Sequence, residues 1–210
     1  AGLLQPTIPF LGWGAGFLDF NNDGLLDIFS VNGHVYVQAE GADWGTTWAQ
    51  RPLLFRNLNG QQFEEVPPAT GSGLAVVIPA RGAAFGDLFN SGRIDVVINN
   101  IDREPTLLRN AVKNANHWIT LKLVGGPKSP RDAIGAKVFV TAGGVRQRAD
   151  IFSGGSYCSS SDPRAHFGLG SSNKIDKVEI HWPSGFIEQV TPPKVDCIVT
   201  VREGKGAVIA

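Results

Sequence analysis

Cysteine is scarce in this chain: its 210 residues include two, Cys158 and Cys197. Two thiols allow one disulfide or none, and they are too few for a disulfide framework or a zinc site. Net charge is missing as well, since 19 Lys and Arg balance 19 Asp and Glu. That balance excludes the strong basic bias of a nucleic-acid binder. No apolar run approaches the ~18 residues of a membrane-crossing helix. The opening AGLLQPTIPF has neither an initiator methionine nor a basic leader with an apolar core, which leads us to expect a processed or excised piece of a longer chain. Catalytic signatures are sparse. His34, His117, His166 and His181 show no HExxH-type spacing. GWGAG (Gly12 to Gly16) lacks the third glycine and the helix of a dinucleotide loop. Ser156, Asp162 and His166 could form a triad on paper, but no nucleophile elbow accompanies them. A non-enzyme is expected.

Turn formers and short apolar runs are plentiful: 26 glycines, 13 prolines and 42% hydrophobic residues favour many strands over long helices. An internal repeat organises the first half. GWGAGFLDFNNDGLLDIFSVNG (Gly12 to Gly33) aligns with RGAAFGDLFNSGRIDVVINN (Arg81 to Asn100) at an offset of 68 residues, and PLLFRNLNG and PTLLRNAVK follow the two copies. In the first copy AGFLDF and LLDIFSV flank an acidic turn, while LLFRNL and QFEEV flank Asn59–Gly60, a strong hairpin signal. Four strands per repeat is the pattern of a β-propeller blade. The insert HVYVQAEGADWGTTWAQR reads as a long exposed loop.

The acidic turn, DFNNDGLLD, carries candidate metal ligands. Calcium takes six to eight oxygens, and alternate loop residues can turn their side chains to one centre. Asp19, Asn21 and Asp23 stand at such places, Gly24 permits the sharp turn, the Leu25 carbonyl points back, and Asp27 closes the site. Three carboxylates in nine residues repel one another unless a cation lies among them. The flanks are strands and the twelfth position is Ser30, so an EF-hand is excluded. In the second copy Asp87 and Asp95 remain, but Phe89 and Ser91 fill two ligand places and Arg93 lies close by. Asp87 and Asp95 define a weaker second metal site, and a metal-free turn bridged by Arg93 is the expectation there.

After Asn116 the character changes. The net charge is −4 for residues 1–116 and +4 for residues 117–210. HWITLKLVG, AIGAKVFVTAGG, VRQRADIFSGG, KIDKVEIHWPSG, FIEQVTPP and CIVTVREG are six period-two runs that predict an antiparallel sandwich or barrel. Between them lies SGGSYCSSSDPRAHFGLG (Ser153 to Gly170), too polar for a core strand. With Tyr157, Asp162, Arg164 and His166 it is either a partner-binding loop or a structured loop in which Asp162 and Arg164 pin backbone groups.

These motifs resemble known families. Residues 12–33 and 81–100 resemble FG-GAP/VCBS repeats, the calcium-loop blades also found in integrin α-chain propellers. NHWITLKLVG, RDAIGAKV, SDPRAHFGLG and VEIHWPSG stand in the order of the ASPIC/UnbV domain. Together they resemble the C-terminal part of the cartilage acidic protein family. The resemblance implies an all-β fold: two propeller-type blades (a partial propeller, residues 1–116) and an ASPIC/UnbV-like β domain (residues 117–210). It also implies a secreted or cell-surface protein with structural Ca²⁺, acting in adhesion, matrix interaction or surface assembly. Two blades fall short of a closed propeller, so exposed edges invite a protein partner or self-assembly. Related proteins in biosynthetic clusters keep an accessory or catalytic role with a site in residues 153–170 as an alternative. Trp13, Trp44 and Trp48 near exposed loops point weakly to carbohydrate.

Overall fold

A computed structural model describes residues 2–192 and 194–209. The first acidic turn is built into a four-stranded antiparallel sheet ordered β1 (Gly12–Leu18), β2 (Asp27–Asn32), β3 (Leu53–Asn57) and β4 (Phe63–Glu65). The β3–β4 hairpin turns at Asn59–Gly60, where Gly60 takes φ +80° and the Asn59 side chain accepts the amides of Gln61 and Gln62. The second repeat makes β5 (Ala80–Gly86), β6 (Asp95–Asn100) and β7 (Thr106–Leu108). It has three strands where four are expected. Residues 109–116 lead instead to the first acidic turn: Asn110 donates to the Phe20 carbonyl, and Asn114 and Asn116 donate to that of Asn21. Leu18, Phe29, Val31, Leu54, Ala83, Val96 and Ile98 from both sheets share one core. The insert after β2 is largely turns, with one short 3₁₀ segment at Val37–Ala39.

The second half forms β8 (His117–Val124), β9 (Lys137–Ala142), β10 (Val145–Asp150), β11 (Gly155–Ser156), β12 (Ser159–Ser160), β13 (Ala165–Gly170), β14 (Lys177–His181), β15 (Ile187–Val190), β16 (Cys197–Arg202) and β17 (Gly206–Ile209). Two sheets, β10-β9-β14-β15 and β13-β8-β16-β17, face each other across a core that includes Ile119, Leu121, Val138, Val140, Phe167, Val178, Ile180 and Val199. Alternation decides these faces: in β9 Val138, Val140 and Ala142 are buried while Lys137 is exposed. One pairing differs from the antiparallel expectation, because β16 runs parallel to β8. Between the two the chain passes through β9 and β10, back along β13 beside β8, and through β14 and β15, so that it enters β16 in the direction of β8. Cys197 is buried, Cys158 is exposed, and both are free thiols.

Candidate functional site

Asp19 and Asp27 lie at the ends of β1 and β2 and are almost fully buried. The carboxylate of Asp19 accepts the amides of Asp23 (3.1 Å) and Gly24 (2.8 Å). That of Asp27 accepts Phe20 N (3.1 Å) from its own turn and Asn57 N (2.8 Å) from β3. Above them Asp23 accepts Leu25 N and the Asn21 side-chain amide, and Asn21 Oδ1 accepts Asp23 N. Asn22 and Gly24 take left-handed φ values of 59° and 89° to close the turn.

Burial dominates the electrostatics of this turn. It pushes the Asp19 carboxyl up to about 7 against the pull of the Gly24 amide, with the charges of Asp23 and Asp27 adding to the rise. Asp27 is pushed up to about 6, burial again leading, while the Asn57 and Phe20 amides oppose it. No ion pair among the described residues reaches Asp19, Asp23 or Asp27. The donors are all oxygens, and each carboxylate oxygen has one amide partner and a lone pair to spare, which suits a hard cation such as calcium. Their present directions serve the loop's own amides. Among the described residues no three acidic, His or Cys side chains converge as a metal-binding group.

The second turn repeats this framework bond for bond. Asp87 accepts Ser91 N (2.8 Å) and Gly92 N (2.7 Å), and Asp95 accepts Leu88 N (3.2 Å) and Asn110 N (2.8 Å). Asn90 and Gly92 take φ 52° and 75°, matching Asn22 and Gly24. The middle differs: Phe89 is half-exposed beneath Arg109, whose guanidinium lies 4.6 Å from the ring centroid. Arg93 does not bridge the carboxylates, contrary to expectation; its Nε donates to Val112 O at 2.8 Å. The guanidinium is directed to the segment that follows β7 and away from Asp87 and Asp95.

Both turns are seats for the second half of the chain. Asn22 donates to Gly92 O, its Oδ1 lies 2.8 Å from His166 Nε2, and its carbonyl accepts Gly170 N. His166 also meets Thr120 Oγ1 through Nδ1 and stacks on Trp118. Burial pushes it down to about 4, so the ring is neutral at pH 7. Arg164 reaches Asn90 Oδ1 (2.8 Å), the Asp87 carbonyl (2.7 Å) and the Asp162 carboxylate (2.7 Å). Glycines permit the close approach. A Cβ on Gly168 would stand 2.0 Å from Asp19 Oδ2, and one on Gly92 would stand 1.9 Å from the Trp118 ring.

The β11–β12 hairpin lies across β1 and β5. Ser156 Oγ accepts Ala15 N, Ser159 donates to Ala83 O, and Asp162 N donates to Phe85 O. Tyr157 packs on Trp13 with centroids 5.1 Å apart. Ser156, Asp162 and His166 therefore form no triad, since each is bonded elsewhere. Trp48 lies under Arg103 at 5.9 Å, and Trp44 is exposed beside His34. Sequence reasoning passed over Asn22, Asn90, Gly92 and Gly168. The available signal was the asparagine kept at the fourth place of both turns. Beside the turns runs a cleft of about 840 Å³, walled by β1, β10 and residues 161–167 and including Phe17, Leu26, Phe85 and Phe152 in its lining.

Residues 19–98 match the family described as FG-GAP-like repeat, and residues 126–208 match the family described as ASPIC and UnbV. Among curated proteins, cartilage acidic protein 1 of Mus musculus is 27% identical over 175 residues, covering 80% of this chain and 25% of its own length. Cartilage acidic protein 1 of Homo sapiens is 28% identical over 175 residues, covering 80% and 24%. The chain thus spans about a quarter of the length of these curated relatives.

Proposed function

We propose that this chain, whose residues 19–98 and 126–208 match an FG-GAP-like repeat and an ASPIC/UnbV domain, works as a non-enzymatic, extracellular interaction module stapled by calcium. The observation that carries the calcium reading is the buried acid pair of the first turn, Asp19 and Asp27, which has no ion-pair partner among the described residues and has Asp23 between its members in sequence. Asp19, Asn21, Asp23, Asp27 and the Leu25 carbonyl would hold the ion. Bound there, Ca²⁺ supplies charge compensation and no chemistry. The chain's own residues do the rest: Asp19 and Asp27 hold the turn's amides, and Asn22 hands the turn to β13 through His166 and Gly170. A metal that orders the first turn therefore orders the joint between the two halves.

Calorimetric titration of the EDTA-treated protein tests this. One calcium site of millimolar or submillimolar affinity is expected, in the range of extracellular modules, and Asp23→Ala should abolish its heat. Asp87 and Asp95 make a weaker second site at most, because Phe89 supplies no oxygen.

The alternative, an accessory or catalytic component of a biosynthetic pathway, draws on the cleft beside residues 161–167. That volume falls within the ~300–1,000 Å³ of small-molecule sites. In its lining His166 is neutral and bonded on both nitrogens, so it activates no neighbouring hydroxyl. The cleft suits binding better than catalysis. Carbohydrate recognition would rest on exposed Trp44, since Trp13 is taken up by Tyr157.

A further inference from the structure

Two strand edges face each other across the cleft. β10 is the outer strand of its sheet and β1 is the outer strand of the first repeat's sheet. The β9–β10 hairpin turns on Gly143 and Gly144, both at positive φ, with Ala142 opposite Val145. This two-residue turn makes Ala142 and Val145 a mutually hydrogen-bonded pair. By alternation Gln147 and Ala149 also bond inward to β9, so the N–H and C=O groups of Arg146, Arg148 and Asp150 point out of the sheet. On β1 the Ala15 amide points away from β2, toward Ser156, and the backbone of Phe17 shares that direction by the same alternation. The β11–β12 hairpin covers the edge at Ala15 and leaves it open at Phe17.

The surroundings state what would fit. Register places Lys137, Arg146, Arg148, Asp150, Lys177 and Glu179 on the outer face of β10, β9 and β14. Arg146 and Lys177 pair with Glu179 and Arg148 pairs with Asp150, and four cations against two acids still leave that face with a positive surplus. On the other side the cleft offers Phe17, Leu26, Ile28, Phe85 and Phe152. A strand added to β10 would send alternate side chains to these two environments.

We propose that the free edge of β10 takes up an extended acidic peptide by strand addition. Its acidic side chains lie beside Arg146 and Arg148, and the intervening apolar ones enter the cleft. This deepens the interaction-module reading and rests on it, but not on calcium. The experiment is fluorescence anisotropy of a labelled eight-residue peptide of alternating glutamate and valine, titrated with the whole chain in saturating calcium and again in EDTA.

Saturable binding is expected. Methylating the peptide's alternate backbone nitrogens in the register that faces β10 should weaken it at least tenfold, and the other register should have little effect. The Arg146→Glu/Arg148→Glu variant should weaken the glutamate peptide at least tenfold and prefer the lysine counterpart. No binding, equal effects of both methylation registers, or indifference to the charge reversal would overturn the proposal. So would a dimer by light scattering that the peptide dissociates, because the edge would then belong to a second copy. The methylated peptides keep the test open should the double variant fail to fold. Peptide binding unchanged in EDTA, with no calcium heat, would fault the calcium reading alone.

Discussion

Between Asp19–Asp27 and Asp87–Asp95 the backbone solution is the same. In each turn the first aspartate holds the amides four and five residues ahead, and the last holds one amide of its own turn and one from a later segment. What separates them is the middle, Asn21 and Asp23 in one and Phe89 and Ser91 in the other. The first turn thus carries a third carboxylate over two buried ones, and the second does not. The outer aspartates, the left-handed asparagine and the glycine are enough to build the turn. On the calcium proposal, the inner pair decides whether the turn also binds a cation.

The largest expected effect tests what the turns share, their close seating against the second half. Gly168→Ala puts a methyl onto Asp19 and Asn22, and Gly92→Ala puts one onto Trp118 at a positive φ. Each should cost about 3 kcal/mol in chemical denaturation. A loss under about 1 kcal/mol in either would mean that the turn moves away freely.

A smaller effect separates the turns by charge. Asp19 and Asp27 have folded values near 7 and 6, raised from an ordinary 3.8. Each holds its proton more tightly folded than unfolded, so without metal the fold gains stability as pH falls below these values. It loses that gain as pH rises through 6 to 7. In EDTA, Asp19 and Asp27 together favour pH 5 over pH 7.5 by about 4 kcal/mol, and His166, held down near 4, opposes them by about 2 kcal/mol, so the net gain at pH 5 should be on the order of 2 kcal/mol. Calcium favours the ionised form and should flatten or reverse this slope.

The comparison can also be undone by grafting. Phe89→Asn/Ser91→Asp restores the first turn's middle in the second, and a second calcium site should appear with about 1 kcal/mol of added stability in millimolar calcium. The smallest effect belongs to Arg93. Its guanidinium serves one carbonyl, so Arg93→Ala should cost no more than about 1 kcal/mol and leave the melt's calcium response unchanged.

Much of this architecture is legible in the residues. The 68-residue repeat, the aspartates that end β1 and β5, and the Asn59–Gly60 hairpin follow from local spacing. So does the alternation of β9 and β14 in the second half. The rest depends on partners distant in sequence. The parallel β8–β16 pairing leaves no periodic trace, because period two is the same in either direction. Arg93 stands near two carboxylates in sequence, yet its guanidinium goes to the Val112 carbonyl, 19 residues away. For Ser153–Gly170 the residues leave a partner-binding loop and a structured loop open; Arg164 and His166 find their partners in the two acidic turns of the same chain. The end of the segment is a core strand after all, with Ala165, Phe167 and Leu169 of β13 buried. A glycine that faces a turn 146 residues away, as Gly168 faces Asn22, reads in the sequence only as another glycine.

Scanning calorimetry of the wild type, Asp23→Ala and Ser91→Ala at pH 7.5, each in EDTA and in 10 mM calcium, tests the difference between the turns most directly. At a dissociation constant near 1 mM, calcium should add about 1.4 kcal/mol to the wild type, a rise of a few degrees in Tm. Ser91→Ala should keep that rise and Asp23→Ala should lose it. A wild-type melt that is the same in EDTA and in calcium would contradict the account, as would a rise that survives Asp23→Ala.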